Sequence, residues 1–206
     1  MRDRDFFARP ATAVAPELLG AVLSVGKVAL RITEVEAYRG TSDPGSHAFH
    51  GETPRNAAMF GEPGHLYVYV SYGVHHCVNV VCSPRGEASA VLLRAGEIVA
   101  GFEPARGRRL SAKRDVDLAR GPGRLAAPLG ITRANDGDDL FGAPLFGAPL
   151  FAASLSLEFP DATSPVFQAG PRTGVSGAGG GTAFPWRFWI PGEPTVSPYR
   201  PHAPRR

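Results

Sequence analysis

The segment His65–Val81 constrains the fold of this chain more than any other stretch of its sequence. It reads HLYVYVSYGVHHCVNVV and is dominated by β-branched and aromatic residues, which favour strands. Gly73 interrupts this pattern at a place where a turn or a bulge is expected. We therefore predict strand structure on both sides of Gly73 and a fold organised around a β-sheet.

Shorter patterns predict the other elements of the fold. Val25-Gly26-Lys27 separates two strand-like runs and indicates a hairpin. The strands expected besides His65–Val81 are Ala21–Ser24, Val28–Tyr38, Ala88–Arg94, SLSLEF and WRFWI. Capping residues, prolines and glycines predict three short helices: Ala11–Leu19 with Thr12 as its cap, Thr53–Phe60, and a helix from Gly121 toward Leu129.

Length and composition indicate one loop-rich domain. The 206 residues, 43% of them hydrophobic, are enough to bury a substantial core. With Gly 25 and Pro 20, many residues must lie in turns and loops. We predict a single domain over residues 1–206 that ends in an extended tail from about residue 191.

The charged residues permit a nucleic-acid partner without requiring one. The net charge is +3, and Lys27 and Lys113 are the only lysines, so the basic side chains are almost all arginines. Arginine favours planar, bidentate contacts with phosphate groups. The start MRDRDFFARP lacks an apolar signal region, and Cys77 and Cys82 lie in an apolar run typical of reduced, buried thiols. We expect a cytoplasmic protein with no membrane partner.

Two carboxylates lie in the second arm of the predicted hairpin, in ITEVEAY over residues 32–38. Strand side chains alternate between faces, so Ile32, Glu34, Glu36 and Tyr38 are expected to share one face. Two interpretations remain open from the spacing. The strand either lies at a sheet edge with its acidic face toward water, or it lines a cleft in which at least one glutamate is a general acid or base.

Two common uses of such residues fit poorly. A sugar glycosidase needs its two acids on opposite sides of the scissile bond, whereas side chains on one strand face point the same way. No spacing matches a strong metal-ligand pattern, so we predict no metal site at the candidate pairs His47 and His50, His75 and His76, or Cys77 and Cys82.

Four of the five tyrosines lie in one third of the chain: Tyr38, Tyr67, Tyr69 and Tyr72. Core packing is the ordinary interpretation, because aromatic residues favour strands. A buried tyrosine, however, needs a partner for its hydroxyl. Several tyrosines near glutamate and histidine suggest a pocket for a flat ring.

The chain resembles the alkyladenine (3-methyladenine) DNA glycosylase family in an ordered set of motifs. These are EVEAY, TPRNAAMF, GHLYVYVSYGVHHCVNVV, AVLLRAGE and GPGRL, between FFARP near the start and RFWIPGEPTVS near the end. Each motif alone is weak, but five in order are specific and cover nearly the whole chain. The resemblance implies an α+β fold in a single domain, with a curved antiparallel sheet and peripheral helices.

The resemblance also implies a function, the removal of alkylated or deaminated purines from double-stranded DNA by base flipping and hydrolysis, without metal or organic cofactor. The general base of the family corresponds to Glu36, which would deprotonate the attacking water. Glu34 would then be a hydrogen-bonding neighbour of structural importance.

The remaining site residues that the resemblance implies would surround the flipped purine. Tyr38 and His47 would stack on both faces of the flipped purine, and Tyr69 would complete the aromatic wall. Asn79 would exclude the exocyclic amine of normal guanine. Arg94 would help to position the water and the phosphate of the lesion.

Tyr72, just before Gly73, corresponds to the residue that enters the duplex in place of the flipped nucleotide. A lyase mechanism needs an amine for a Schiff base, and the scarcity of lysine predicts a monofunctional enzyme. We also expect the enzyme to be a monomer. Two features depart from the family pattern. The segment between Tyr38 and Met59 is short, which makes His50 the alternative to His47, and FGAPL occurs twice, at Phe141 and Phe146.

Two hypotheses from other classes remain. A non-catalytic module that binds damaged DNA would keep the pocket without turnover, although the presence of both Glu36 and Arg94 argues against it. A small-molecule hydrolase would show no salt-sensitive binding to DNA.

Overall fold

The sheet that the strand patterns predict is present, and all of its pairings are antiparallel. A computed structural model describes residues 2–142, 155–160 and 165–203. The strands in these ranges are β1 (Val22–Val25), β2 (Val28–Tyr38), β3 (Leu66–Ser71), β4 (His75–Cys82), β5 (Ser89–Ala100), β6 (Leu155–Glu158), β7 (Gln168–Gly170) and β8 (Arg187–Trp189). The helices are α1 (Arg4–Phe7), α2 (Ala11–Glu17), α3 (Phe102–Arg108) and α4 (Pro122–Leu129). The expected α+β class is confirmed.

Strand β2 lies in the interior of the sheet. The strand order is β3-β4-β5-β2-β1-β6, and β8 pairs with both β2 and β7. β2 pairs with β5 along one side, while its other side pairs first with β1 and then, over Glu34–Glu36, with β8. The edge-strand interpretation of ITEVEAY is therefore wrong, because both sides of this part of β2 are hydrogen-bonded to other strands.

Most of the buried apolar side chains in the described ranges join one principal core cluster, to which α2, α4 and the central strands all contribute. Representative members are Leu18, Leu30, Leu93 and Leu125, all fully buried. Burying one such side chain contributes about 1.5–3 kcal/mol to folding. A smaller cluster that includes Met59 and Tyr67 lies to one side and supports the loop that follows β2.

Two predicted elements differ in detail from the structure. Thr12 is not the cap of α2, since the helix begins after Pro10 and Thr12 lies inside it. The helix expected over Thr53–Phe60 is reduced to a 3₁₀ turn at Ala57–Phe60. The reason is that the side chain of Asn56 accepts from the Thr53 amide and donates to two loop carbonyls, which favours a compact loop over a helix.

Other elements were longer than predicted or absent from the prediction. The strand expected at Ala88–Arg94 continues to Ala100, because Gly96 allows β5 to approach the backbone of Arg31 closely, where a Cβ would lie 2.6 Å from its carbonyl oxygen. The short elements α1, α3 and β7 were not predicted. The second FGAPL copy, at Phe146, lies outside the described residues.

Between β8 and residue 203, where the description ends, the C-terminal segment has no helix or strand, yet it packs onto the body of the protein. Thr195 and Ser197 are buried, and the Gly174 amide donates to the Arg200 carbonyl at 2.9 Å. No helix in the described ranges is long and apolar enough to cross a membrane.

Candidate active site

A cavity of about 460 Å³ opens where the end of β2, the β3–β4 hairpin and the start of α4 meet. This volume is within the range typical of small-molecule sites. Six of the residues singled out in the sequence line it: Tyr38, His47, Tyr69, Tyr72, Asn79 and Arg94. The seventh, Glu36, is fully buried and lies directly behind the cavity wall.

A β-bulge turns the glutamates of β2 toward this wall. Ile32 and Glu34 pair with consecutive residues of β5, so Thr33 is an extra residue in β2. A bulge shifts the side-chain alternation by one position. As a result Ile32 and Val35 both join the core, and the expectation that Ile32 shares the face of Glu34 and Glu36 is wrong.

The carboxylate of Glu36 contacts three residues that line the cavity. Its Oε1 accepts from the Thr173 amide at 2.7 Å, and its Oε2 accepts from the Tyr38 hydroxyl at 2.8 Å. The Nη1 of Arg94 lies 3.1 Å from the same Oε2. One layer of side chains therefore separates Glu36 from the cavity.

Glu34 is the anchor of a buried polar network. Its Oε1 accepts from Arg94 Nε at 2.9 Å, Arg187 Nε at 2.6 Å and Ser197 Oγ at 3.0 Å. The Ser197 amide donates to Oε2 at 2.7 Å. Burial alone would raise the pKa of Glu34, but the charges of Arg94 and Arg187 outweigh burial and hold it below the usual value. Glu34 is thus a saturated acceptor.

Arg94 links the two glutamates from a second bulge. Glu34 and Val35 pair with the residues of β5 on either side of Arg94, which leaves Arg94 unpaired in the register and directed at the acids. Burial alone would lower the pKa of Arg94. The charges of Glu36 and Glu34 outweigh burial and raise this pKa above its usual value, so the guanidinium stays charged.

The aromatic wall is built from β3 and the loop after β2. The rings of His47 and Tyr69 meet edge to face with centroids 4.6 Å apart, and Tyr67 lies 5.5 Å from Tyr69. His47 Nδ1 is 3.1 Å from the Tyr67 hydroxyl, which holds the imidazole in place. Burial, and then the charge of Arg55, lower the pKa of His47. Its alternative, His50, is exposed and does not line the cavity.

Asn79 lies on β4 at the buried end of the cavity. Its Nδ2 donates to the Tyr67 carbonyl at 3.0 Å, across the β3–β4 pair. The amide is almost inaccessible to solvent. This contact fixes the amide at the cavity surface, where it can be read only by a group that enters the cavity.

Tyr72 stands at the tip of the β3–β4 hairpin and is 84% exposed. Both Tyr72 (φ 51°) and Gly73 (φ 72°) have positive φ, as type I′ hairpin turns require. The Val74 amide closes the turn on the Ser71 carbonyl at 3.2 Å. A bulky residue in the left-handed region is uncommon, and strain of this kind clusters at functional sites.

Comparison with known proteins decides the family. The profile of the methylpurine-DNA glycosylase family matches residues 5–194. The chain belongs to this family. It is 58% identical to a protein of Streptomyces avermitilis, covering 98% of this chain and 93% of the relative. It is 59% identical to a protein of Leifsonia xyli, covering 97% and 92%. Both relatives bear the name "Putative 3-methyladenine DNA glycosylase".

A second cavity of about 930 Å³ adjoins the first in this member of the methylpurine-DNA glycosylase family. It shares Arg94, Pro122 and Thr173 with the first cavity. Besides Arg94, its arginine and lysine lining residues are Arg109, Lys113, Arg114, Arg120, Arg124 and Arg200, against one acid, Asp117. We call this cavity the basic groove. Burial, and then the charge of Arg124, lower the pKa of Arg109, so two like charges repel one another there.

Gly123 brings the basic groove against the hairpin. It lies in the first turn of α4, and a Cβ at this position would be 2.9 Å from the ring of His75, the first residue of β4 after the hairpin turn. Only a glycine permits this close approach. The tip at Tyr72, the first cavity and the basic groove therefore form one continuous surface.

Sequence reasoning missed several residues of the site. Thr173, Arg55 and Met59 line the cavity, and Arg172 is fully buried behind it. Arg172 lies in the stretch GPR and Arg55 in the stretch TPRN. Neither stretch indicates that Arg172 is the buried arginine of the two. Among the described residues, no group of three or more His, Cys, Asp or Glu side chains is placed to hold a metal ion.

Proposed function

We propose that this protein is a monofunctional DNA glycosylase of base excision repair. It flips alkylated or deaminated purines out of duplex DNA and hydrolyses the N-glycosidic bond with water activated by Glu36. The names of the relatives and the family membership support this class of reaction. We further propose that the protein acts as a monomer. We also propose that it is cytoplasmic and, in a bacterium, associates with the nucleoid.

One observation carries the mechanism. All three groups in contact with Glu36, namely Tyr38, Arg94 and Thr173, belong to the wall of a cavity with aromatic sides. A base that enters the cavity therefore brings its sugar to a wall behind which a carboxylate is held by two hydrogen bonds and an ion pair. This is the arrangement that a general base needs.

In the proposed reaction, a water oxygen bonds to C1′ of the flipped nucleotide while the C1′–N bond breaks. The electron pair of that bond leaves with the purine, and Glu36 accepts a proton of the water. A cationic alkylated purine leaves as the neutral base, whereas a deaminated purine leaves as an anion and takes a proton from solvent. The other product is an abasic sugar with a hydroxyl group at C1′. In the structure the Tyr38 hydroxyl donates a hydrogen bond to Oε2 of Glu36. The water bonds to Oε2 when this hydrogen bond is broken.

The aromatic wall would bind the flipped base. Tyr38 and His47 would stack on its two faces with Tyr69 alongside, and electron-poor alkylated purines bind well to such rings. The lowered pKa of His47 favours a neutral imidazole, which does not repel a cationic base. Asn79 would exclude the amine of undamaged guanine.

The exposed surface fits a DNA duplex. Tyr72 projects from the hairpin tip and would fill the space of the flipped base. The basic groove beside it would hold the phosphodiester backbone, because a phosphate between Arg109 and Arg124 would relieve their mutual repulsion. Neither lysine lines the first cavity, which supports hydrolysis without a Schiff base. Covalent trapping of the protein on DNA by borohydride would contradict that assignment.

The decisive experiment is single-turnover excision on duplexes that carry hypoxanthine, ethenoadenine or an alkylated purine, with alkali added to reveal abasic sites. The wild type should cleave at least one lesion. Glu36→Gln should bind the same duplex and lose excision, since glutamine keeps the shape of the side chain but cannot act as the general base. Glu97→Gln, a partly exposed glutamate paired with Arg31, is the control. Tight binding without cleavage by the wild type would favour the non-catalytic binding module.

A further inference from the structure

Arg172 makes the densest set of polar contacts in the described part of the chain. Its side chain is fully buried, and its Nη1 and Nη2 each lie 2.6 Å from an oxygen of Asp43. Nη1 also donates to the Ala37 carbonyl at 3.0 Å. Nη2 and Nε both donate to the Gly179 carbonyl, at 2.7 Å and 3.3 Å. All five N–H groups of the guanidinium are thereby used.

These contacts reach three segments that each carry a group of the active site. Ala37 lies on β2 between Glu36 and Tyr38, and Arg172 Cζ is 4.5 Å from the centre of the Tyr38 ring. Asp43 begins the loop that contains His47. The residue after Arg172 donates its amide to Glu36. The Arg172 side chain therefore contacts the elements that hold the general base Glu36, the ring of Tyr38 and the imidazole of His47.

The backbone around the pair leaves no room for other arrangements. A Cβ at Gly45 would lie 2.5 Å from Arg172 Nη2, and a Cβ at Gly179 would lie 2.4 Å from the Gly45 amide nitrogen. Asp43 is further fixed by the amides of Arg39 and Gly45, at 3.1 Å and 2.8 Å. A shift of Arg172 would therefore move the loop of His47 as well.

We propose that Arg172 and Asp43 are a positioning pair, which sets the distance between the stacking residues and Glu36. The inference rests on the proposed function. A buried ion pair is commonly no more stabilising than an apolar replacement, so stability alone does not account for it. The location of the pair at the junction of the three segments gives it a role in positioning. A misplacement of about 1 Å can lower a rate about 100-fold, and this pair controls displacements of that size.

Two variants test the proposal: Arg172→Lys, which keeps the charge and loses the fork of donors, and Asp43→Asn, which keeps the shape and loses the charge. Arg4→Lys is the matched control, because Arg4 also makes a two-contact pair with an aspartate, Asp139, and bonds a carbonyl, away from the cavity. The readouts are the maximal single-turnover rate per folded molecule, the enzyme concentration that gives half of this rate, and the quenching of ethenoadenine fluorescence on stacking.

In both variants the maximal rate should fall about 10- to 100-fold and the quenching should weaken, while the half-saturating concentration stays within about twofold. Arg4→Lys should change none of the three. Rates per folded molecule equal to the wild type in both variants would overturn the positioning role, as would failure of both to fold at all. Absence of excision in the wild type would instead refute the proposed function.

Discussion

Arg94 connects the two glutamates of β2, with its Nε 2.9 Å from Glu34 Oε1 and its Nη1 3.1 Å from Glu36 Oε2. Glu34 is bound in turn by Arg187 and Ser197, on the side that faces the C-terminal segment. The two acids and two arginines balance in charge. The acid nearer the cavity wall therefore depends on its neighbour for the placement of the arginine that they share.

Glu34→Gln should destabilise the protein strongly, since it leaves two arginines against one carboxylate in a buried site. Breaking a buried pair in this way costs about 3–5 kcal/mol. Urea unfolding measures the effect. Glu97→Gln, whose pair with Arg31 is partly exposed, should cost at most about 1 kcal/mol. A free energy of unfolding equal in the two variants would show that the Glu34 network contributes little.

Tyr72→Asn should separate the stability of the hairpin from its function. Asparagine before glycine is a preferred pair for a type I′ turn and tolerates positive φ. The free energy of unfolding should therefore rise by up to about 1 kcal/mol. Flipping, followed by the fluorescence of a base analogue on mixing, should weaken by about 1–3 kcal/mol, the usual contribution of one aromatic stacking interaction. Unchanged fluorescence would count against insertion of Tyr72 into the duplex.

Tyr38→Phe should preserve the stacking ring and free Oε2 of Glu36 for water. A hydrogen bond to a charged group contributes about 1.5–3 kcal/mol, so single-turnover excision should rise by about tenfold. Tyr69→Phe, which does not contact Glu36 through a hydrogen bond, is the control. A loss of excision in Tyr38→Phe alone would show that the hydroxyl takes part in the reaction.

The lowered pKa of His47 predicts a dependence of stability on pH. The unfolded chain binds a proton at His47 near the usual pKa of 6.5, whereas the folded chain resists it. The contribution of His47 is thus complete above pH 6.5 and is lost as the pH falls below it. His47→Asn should flatten the free energy of unfolding between about pH 7.5 and 5.5. Parallel curves of unfolding free energy against pH for the wild type and His47→Asn would contradict the shift.

The basic groove predicts a salt-dependent contribution to DNA binding. Lys113→Gln with Arg124→Gln should weaken binding to damaged and undamaged duplexes alike. The slope of log affinity against log salt should fall by about 0.9 for each phosphate that the variant no longer neutralises. Excision at saturating enzyme should be unchanged. Arg85→Gln, at an exposed residue that lines neither cavity, is the control, and an equal weakening there would exclude a specific role for the groove.

The parts of the fold that could be predicted are those encoded by local patterns. His65–Val81 forms β3 and β4 around Gly73 because alternating β-branched and aromatic residues have few other stable conformations. α4 was predicted correctly from the glycines and proline of the run Gly121–Arg124, which precede and open the helix. The cavity-lining residues Tyr38, His47 and Asn79 could be selected because the chain resembles a known family along its length.

The parts that could not be predicted depend on contacts between distant segments. Thr33 looks like an ordinary strand residue, and only the register with β5 makes it a bulge. Arg172 and Asp43 are 129 positions apart in the chain, and neither has a local partner that marks it for burial. Sequence patterns predict elements well, whereas pairing of isolated charges follows from the packing of those elements.

The bond from the Ser197 amide to Glu34 spans 163 positions of the chain. During synthesis, the sheet from β1 to β5 can form while the ribosome is still translating the last quarter of the message. The carboxylate network cannot, because Ser197 and Arg187 are still within or behind the exit tunnel. A nascent chain of this protein can therefore form strands β1 to β5 before the network around Glu34, and translation that stops short of residue 197 leaves Glu34 without its Ser197 donors.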